Sequence, residues 1–94
     1  MNYSLRFKQE ALKEWRRLDN SLKIQFKKKL KERLQNPCVP ADRLSGRIDR
    51  YKIKLRNAGY RLVYEVRESE LVVVVVIAVG KREKNSIYKV SETR

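Results

Sequence analysis

Hydrophobic and polar residues alternate with a period of two through residues 51–66, YKIKLRNAGYRLVYEV. Tyr51, Ile53 and Leu55 alternate with Lys52, Lys54 and Arg56; after Asn57-Ala58-Gly59, the residues Leu62, Tyr64 and Val66 alternate with Arg61, Val63 and Glu65. Such alternation predicts two strands, each with one buried and one wet face, joined as a β-hairpin. A loop of even length keeps basic side chains together on one face, whereas a one-residue slip mixes them with apolar ones. Ala58-Gly59 is a poor two-residue turn, because type II′ wants glycine first and type I′ wants Asn-Gly. A four-residue loop, Asn57–Tyr60, is therefore expected. It sets Arg56 opposite Arg61, Leu55 opposite Leu62, Ile53 opposite Tyr64 and Lys52 opposite Glu65. One face of the hairpin is then apolar, and the other carries Lys52, Lys54, Arg56 and Arg61.

Upstream, Tyr3, Leu5 and Phe7 alternate with Asn2, Ser4 and Arg6 and predict a first strand. The period then changes: Phe7, Ala11, Leu12, Trp15 and Leu18 fall on one helical face. Asp19-Asn20-Ser21 is a break with three candidate N-caps. Leu22, Phe26, Leu30 and Leu34 follow at spacing four and predict a second helix ending near Asn36-Pro37. Lys27, Lys28, Lys29 and Lys31 lie mostly on its wet side and read as a solvated helix face. Pro37 to Gly46 is a connector. Glu68-Ser69-Glu70 is a second turn, and Leu71–Val79 is a continuous apolar run, expected to be an inner strand that Gly80 ends. The order is β-α-α-β-β-β plus a short C-terminal tail or helix. This is an α+β fold, residues 1–94 forming a single domain, with a helical hairpin packed on one face of a small, mostly antiparallel sheet. The other face is expected to stay open and to carry the lysines and arginines.

Composition narrows the function. A net charge of +13 over 94 residues points to a polyanionic partner. Cys38 is the only cysteine, so no disulfide forms within the chain, and a reducing, cytoplasmic setting is expected. No signal peptide is expected before the first strand, and the 71–79 run is too short to span a bilayer as a helix, so no membrane partner is expected. The chain has no histidine, which excludes imidazole acid–base catalysis and leaves Cys38 without a Cys-His partnership. Carboxylates are scattered, with no cluster suited to Mg²⁺ or Zn²⁺, and there is no Gly-rich phosphate loop. Neither a metal nor a cofactor is expected.

Lysine, arginine and tyrosine remain, and they can cleave RNA. A lysine crowded by other cations has a depressed pKa and can take the proton of a 2′-hydroxyl. Arginine stays protonated and neutralises the charge that develops on the phosphate. Lys52 and Lys54 share a strand face, Arg61 joins them from the next strand, and Lys81 and Arg82 follow the last strand. Spacing alone supports a solvated amphipathic sheet and a nucleic-acid-binding face equally well.

Several stretches resemble the RelE family of bacterial toxins, within the wider RelE/ParE superfamily. They are ALKEWRRL (11–18), KKKLKERLQNP (27–37), RLSG (43–46), YKIKLRNAGYRLVYEV (51–66) and VGKRE (79–83), and the likeness runs from Leu5 to Tyr88. The resemblance implies a ribosome-dependent endoribonuclease that cuts messenger RNA in the ribosomal A site without metal or cofactor. Its products are a 2′,3′-cyclic phosphate and a 5′-hydroxyl. By position, Lys54 matches the general base and Lys52 its electrostatic neighbour. Arg61 matches the phosphate-stabilising arginine, Arg82 the arginine that stabilises the transition state and protonates the leaving group, and Tyr88 the tyrosine that stacks on or orients the base. Arg56 and Lys81 match contacts to ribosomal RNA or the substrate backbone.

The resemblance also implies an acidic, RelB-like antitoxin as partner, with operator DNA engaged only through the antitoxin complex. The tail has few apolar anchors, Ile87, Tyr88 and Val90, so weak docking is expected, easily displaced by a bound antitoxin. Two other readings stay open. A ParE-like poison of DNA gyrase has the same fold but no need of Lys52, Lys54, Arg61 and Arg82. A non-catalytic RNA- or ribosome-binding protein needs only the basic face.

Overall fold

The structure, a computed structural model, describes residues 4–44, 46, 49–67, 73–81 and 86–94. Its elements are β1 (Ser4–Phe7), α1 (Gln9–Arg16), α2 (Asn20–Gln35), a 3₁₀ turn at Pro40–Asp42, β2 (Arg50–Leu55), β3 (Tyr60–Arg67), β4 (Val73–Lys81) and α3 (Ser86–Glu92). The strands lie in the order β1-β4-β3-β2. β1 runs parallel to β4, and the other two pairings are antiparallel. The α+β order read from the periodicity is the order observed, and the valine run is an inner strand, paired with β3 on one side and, over Val73–Val76, with β1 on the other.

The helical spacing of apolar residues explains which face of the sheet α1 and α2 cover. Ala11 from α1 and Leu22, Phe26 and Leu30 from α2 pack on Ile53, Leu62, Tyr64, Val74 and Val76. Trp15 bridges Phe7 and Phe26, with ring centroids 5.4 and 6.2 Å away. Truncating a fully buried phenylalanine such as Phe26 costs about 3–5 kcal/mol, so this layer carries much of the fold's stability. β1 stops at Phe7, and beyond it the Glu14 carboxylate accepts a hydrogen bond from the Val79 amide at 3.2 Å, in place of a strand partner.

Four expectations change. First, the hairpin register is shifted by two residues: Lys54 pairs with Arg61, Ile53 with Leu62, Tyr51 with Tyr64 and Arg50 with Glu65. The loop does have four residues, but it is Arg56–Gly59. Its last position is left-handed, with Gly59 at φ 69°. In the expected loop Tyr60 would have held that last position, where a side chain is strained. Because the shift is even, the faces are as expected. Second, Gly80 does not end β4; it pairs with Arg61, and Lys81 pairs with Tyr60.

Third, the second sheet face is not open. α3 lies across it, over a small core of Val63, Val75 and Ile77 on which Tyr88 and Leu44 pack. Fourth, the tail is firmly held. Ile87 and Ser91 are buried. The Arg50 guanidinium donates to the Ser91 carbonyl. The Arg94 guanidinium forks onto Glu14 at 2.7 and 3.2 Å, and also reaches the Ile77 carbonyl at 3.2 Å. Polar anchors thus supply what the sparse apolar pattern of the tail lacks. The expected turn at Glu68-Ser69-Glu70 and the start of the valine run, Leu71-Val72, lie outside the described residues.

Candidate active site

Alternation on β2 sends Lys52 and Lys54 to the α3 side of the sheet, and the observed register sets Arg61 directly opposite Lys54. Like charges facing each other across an antiparallel pair destabilise it. Arg61 is only 7% exposed. Its Nη1 donates to the Tyr60 carbonyl at 2.9 Å, while its Nε is buried and unpartnered among the described residues. A buried donor without a partner costs about 1–3 kcal/mol. The arrangement suits an anionic oxygen that accepts from Arg61 while lying beside Lys54.

Lys54 is tuned by the same crowding. The charge on Lys52 lowers its pKa most, desolvation and the charges of Arg56 and Arg61 lower it further, and Asp42 pulls it back up. The Lys52 ammonium sits 5.9 Å from the Tyr88 ring centroid, within cation–π range. Tyr88 is half-buried, with its ring laid on the small second core. The fold therefore brings Lys52, Lys54, Arg61 and Tyr88 to one face. Lys81 is exposed at the end of β4, next to Gly80, the ladder partner of Arg61. Arg56 is exposed in the hairpin loop. Arg82 lies outside the described residues.

Two polar networks hold this face. On the helical side, Arg33 binds Asp42, donates to the Tyr64 hydroxyl at 2.9 Å and reaches the Lys52 carbonyl at 3.3 Å. Tyr64 donates in turn to the Pro37 carbonyl at 2.6 Å. Burial pushes its hydroxyl up to about 12 despite the guanidinium beside it, so it stays a donor. On the α3 side, Arg50 and Arg67 donate to the two oxygens of Glu65 at 2.9 and 2.6 Å. Burial pushes the Glu65 carboxyl up, but the hydrogen bonds from Arg67 and Arg50 outweigh it and leave the net shift downward.

Neither network was expected from the sequence. Arg50 was hidden by the register, since the expected pairing assigned Glu65 to Lys52. With Glu65 matched to Arg50, Lys52 has no carboxylate opposite it and faces Val63. Arg33 could have been flagged by its spacing: Gln25, Lys29 and Arg33 recur every four residues on α2 as a polar stripe.

Comparison with known proteins gives the chain a family and matches its fold. A model described as the ParE toxin of type II toxin–antitoxin systems, parDE, matches residues 5–86. The chain belongs to the ParE toxin family. Within that family it is 54% identical over 88 residues to the mRNA interferase toxin RelE of Escherichia coli K12, covering 94% of this chain and 92% of that one. A mutant E. coli RelE in the free state superposes with a TM-score of 0.90 at 51% identity, over 100% of this chain and 98% of that one. E. coli RelE in its intact complex with the RelB antitoxin gives 0.82 at 56% identity, over 86% and 98%. Among the described residues of this family member, no helix is long and apolar enough to cross a membrane.

Proposed function

We propose that this chain is the toxin of a type II toxin–antitoxin pair and an endoribonuclease that cuts messenger RNA in the ribosomal A site. The observation that carries this reading is the buried Nε of Arg61, without a hydrogen-bond partner among the described residues and set across the ladder from a lysine of lowered pKa. The relatives add weight: E. coli RelE is named an mRNA interferase.

In the proposed reaction Lys54, unprotonated, takes the proton of the 2′-hydroxyl, and the 2′-oxygen attacks the adjacent phosphorus. Arg61 and Lys52 neutralise the charge gathering on the non-bridging oxygens. The bond from phosphorus to the 5′-oxygen breaks, and Arg82 passes a proton to the leaving oxygen and regains one from water, so that it remains a guanidinium between turnovers. A 2′,3′-cyclic phosphate and a 5′-hydroxyl result. Tyr88 stacks on the base and fixes the nucleotide, while Arg56 and Lys81 hold RNA backbone.

A set of lysine, arginine and tyrosine, without histidine, has little power to align the 2′-hydroxyl by itself. We assign that alignment to the ribosome, a contribution of the proximity type. The chain then works in the cytoplasm, where its partners are the ribosome with its mRNA and ribosomal RNA, and an acidic antitoxin. E. coli RelE is seen with RelB, and operator DNA is engaged only through such a complex. A gyrase poison gives no reason for a buried arginine that has no carboxylate partner among the described residues and stands beside two lysines. The test maps the 5′ ends of an mRNA after adding the protein to translating ribosomes, to naked RNA, and to gyrase with supercoiled DNA. Discrete cuts in coding sequence with ribosomes alone are expected. Equal cutting of naked RNA, or stabilised gyrase–DNA breaks, would contradict the proposal.

A further inference from the structure

We propose a second phosphate-binding subsite, in the cleft between α2, β2 and the Arg56–Gly59 loop. It holds a phosphodiester of the substrate strand adjoining the one that is cut. The subsite rests on the reading of Lys54 as part of the cleavage centre.

The cleft encloses about 530 Å³ and lies on the helical side of β2. Gln25, Lys29 and Arg33 line one wall at intervals of one helical turn, and Lys54, Arg56 and Asn57 line the other. Four cationic residues thus border one concave space, Lys54 from the edge strand between the two faces, with a single carboxylate, Asp42, whose partner is Arg33. Lys29, Lys54 and Arg56 make no ion pair among the described residues. The Arg33 guanidinium is fixed by Asp42, Tyr64 and the Lys52 carbonyl, so one wall is rigid before any ligand arrives. The amides of Gln25 and Asn57 add neutral donors. This is the chemistry of a phosphodiester: diffuse negative charge, several acceptor oxygens, no need of an apolar anchor.

Lys54 identifies the strand. It lines this cleft and also faces Arg61 in the ladder. A strand whose scissile phosphate lies beside Arg61 therefore passes over the edge strand β2 with its neighbouring phosphate at the cleft mouth. Lys29, which the helix pattern alone leaves as a solvated charge, becomes a substrate contact.

The test has two arms. In the first, a 2′-O-methyl RNA hexamer, which cannot be cut, is titrated off the ribosome with the wild-type chain. The same titration is run with Lys29→Gln/Arg56→Gln and with Lys27→Gln/Lys28→Gln. The last pair removes the same charge from the exposed face of α2, outside the cleft. Each lost phosphate contact lowers the salt slope of single-strand binding by about 0.7. The cleft variant should lose about 1.4 from its slope and bind about tenfold more weakly at moderate salt, the control far less. Equal losses in both variants would reduce the cleft to part of a general field and overturn the subsite.

In the second arm, ribosome-bound mRNA carries a neutral methylphosphonate at one linkage on either side of the cut. At one of these the wild type should lose about tenfold in single-turnover cleavage, and the cleft variant no more than about twofold beyond its own deficit. If both proteins lose equally at every linkage, the cleft does not hold substrate phosphate and the proposal is wrong. A wild type that binds the hexamer with the expected slopes but cuts nothing on the ribosome would sink the nuclease reading and leave the subsite as an RNA contact.

Discussion

Lys54 and Lys52 are two positions apart on one strand, and that spacing sets both their shared face and their electrostatics. The alternation of the hairpin made both residues legible as a basic pair. It did not reveal that Arg61 is buried, because the sequence pattern assigns that whole face to water and α3 covers part of it. The largest single cause of the lowered Lys54 pKa is the charge on Lys52. A base works unprotonated, so cleavage should rise with pH and level off below the pH at which an ordinary lysine would. In Lys52→Gln the depressing charge is gone and the Lys54 pKa rises, so the inflection of the single-turnover pH profile should move to higher pH. An inflection that stays where the wild type has it would mean that Lys54 is not the titrating base.

The elements were legible from periodicity alone, and their finer relations were not. Strands, helices and their order follow from apolar spacing of two or about four. The hairpin register turned instead on one backbone angle, at Gly59, which no hydrophobic pattern reports. Gly59→Ala forces a side chain into the left-handed region and should destabilise the protein by about 1–2 kcal/mol, read as a lower urea midpoint at unchanged slope. An unchanged midpoint would deny that Gly59 sets the loop.

α3 was legible as a weak helix, but the anchors that hold it come from Arg50, Glu65 and Glu14, far away in sequence. The Glu65 carboxyl is held below its ordinary value by Arg67 and Arg50 once burial has been outweighed. The stability it contributes is therefore present above the ordinary carboxylate pKa, about 4.3, and is lost as pH falls through the lower folded value. The melting temperature of the wild type should drop more steeply than that of Glu65→Gln on acidification below about pH 4. Parallel curves would show that this ion pair contributes nothing to holding α3. An antitoxin that displaces the helix has to break these same contacts, so displacement costs more than the tail's own residues suggest.

At the scale of the whole molecule, a net charge of +13 says only that the partner is an anion. The fold adds direction. α1 and α2 bury one sheet face in a conventional apolar core, and α3 covers part of the other. What stays accessible is the strip from Tyr88 and Lys52 to Lys54 and across the edge strand to Lys29, a path for one nucleic-acid strand. A protein that merely bound RNA would need this charge but not a tuned lysine, and single-residue loss of chemistry separates the two. The most direct measurement is single-turnover cleavage of a defined mRNA on programmed ribosomes by the wild type, Lys54→Ala and Arg82→Ala, with ribosome binding measured alongside. Each substitution should slow cleavage by about 10²-fold or more, the usual scale for a positioned base or charge stabiliser. Binding should remain within a few-fold, and the wild-type product should carry a 2′,3′-cyclic phosphate. Cleavage at the wild-type rate by both variants would contradict the assignment of this face as the catalytic site.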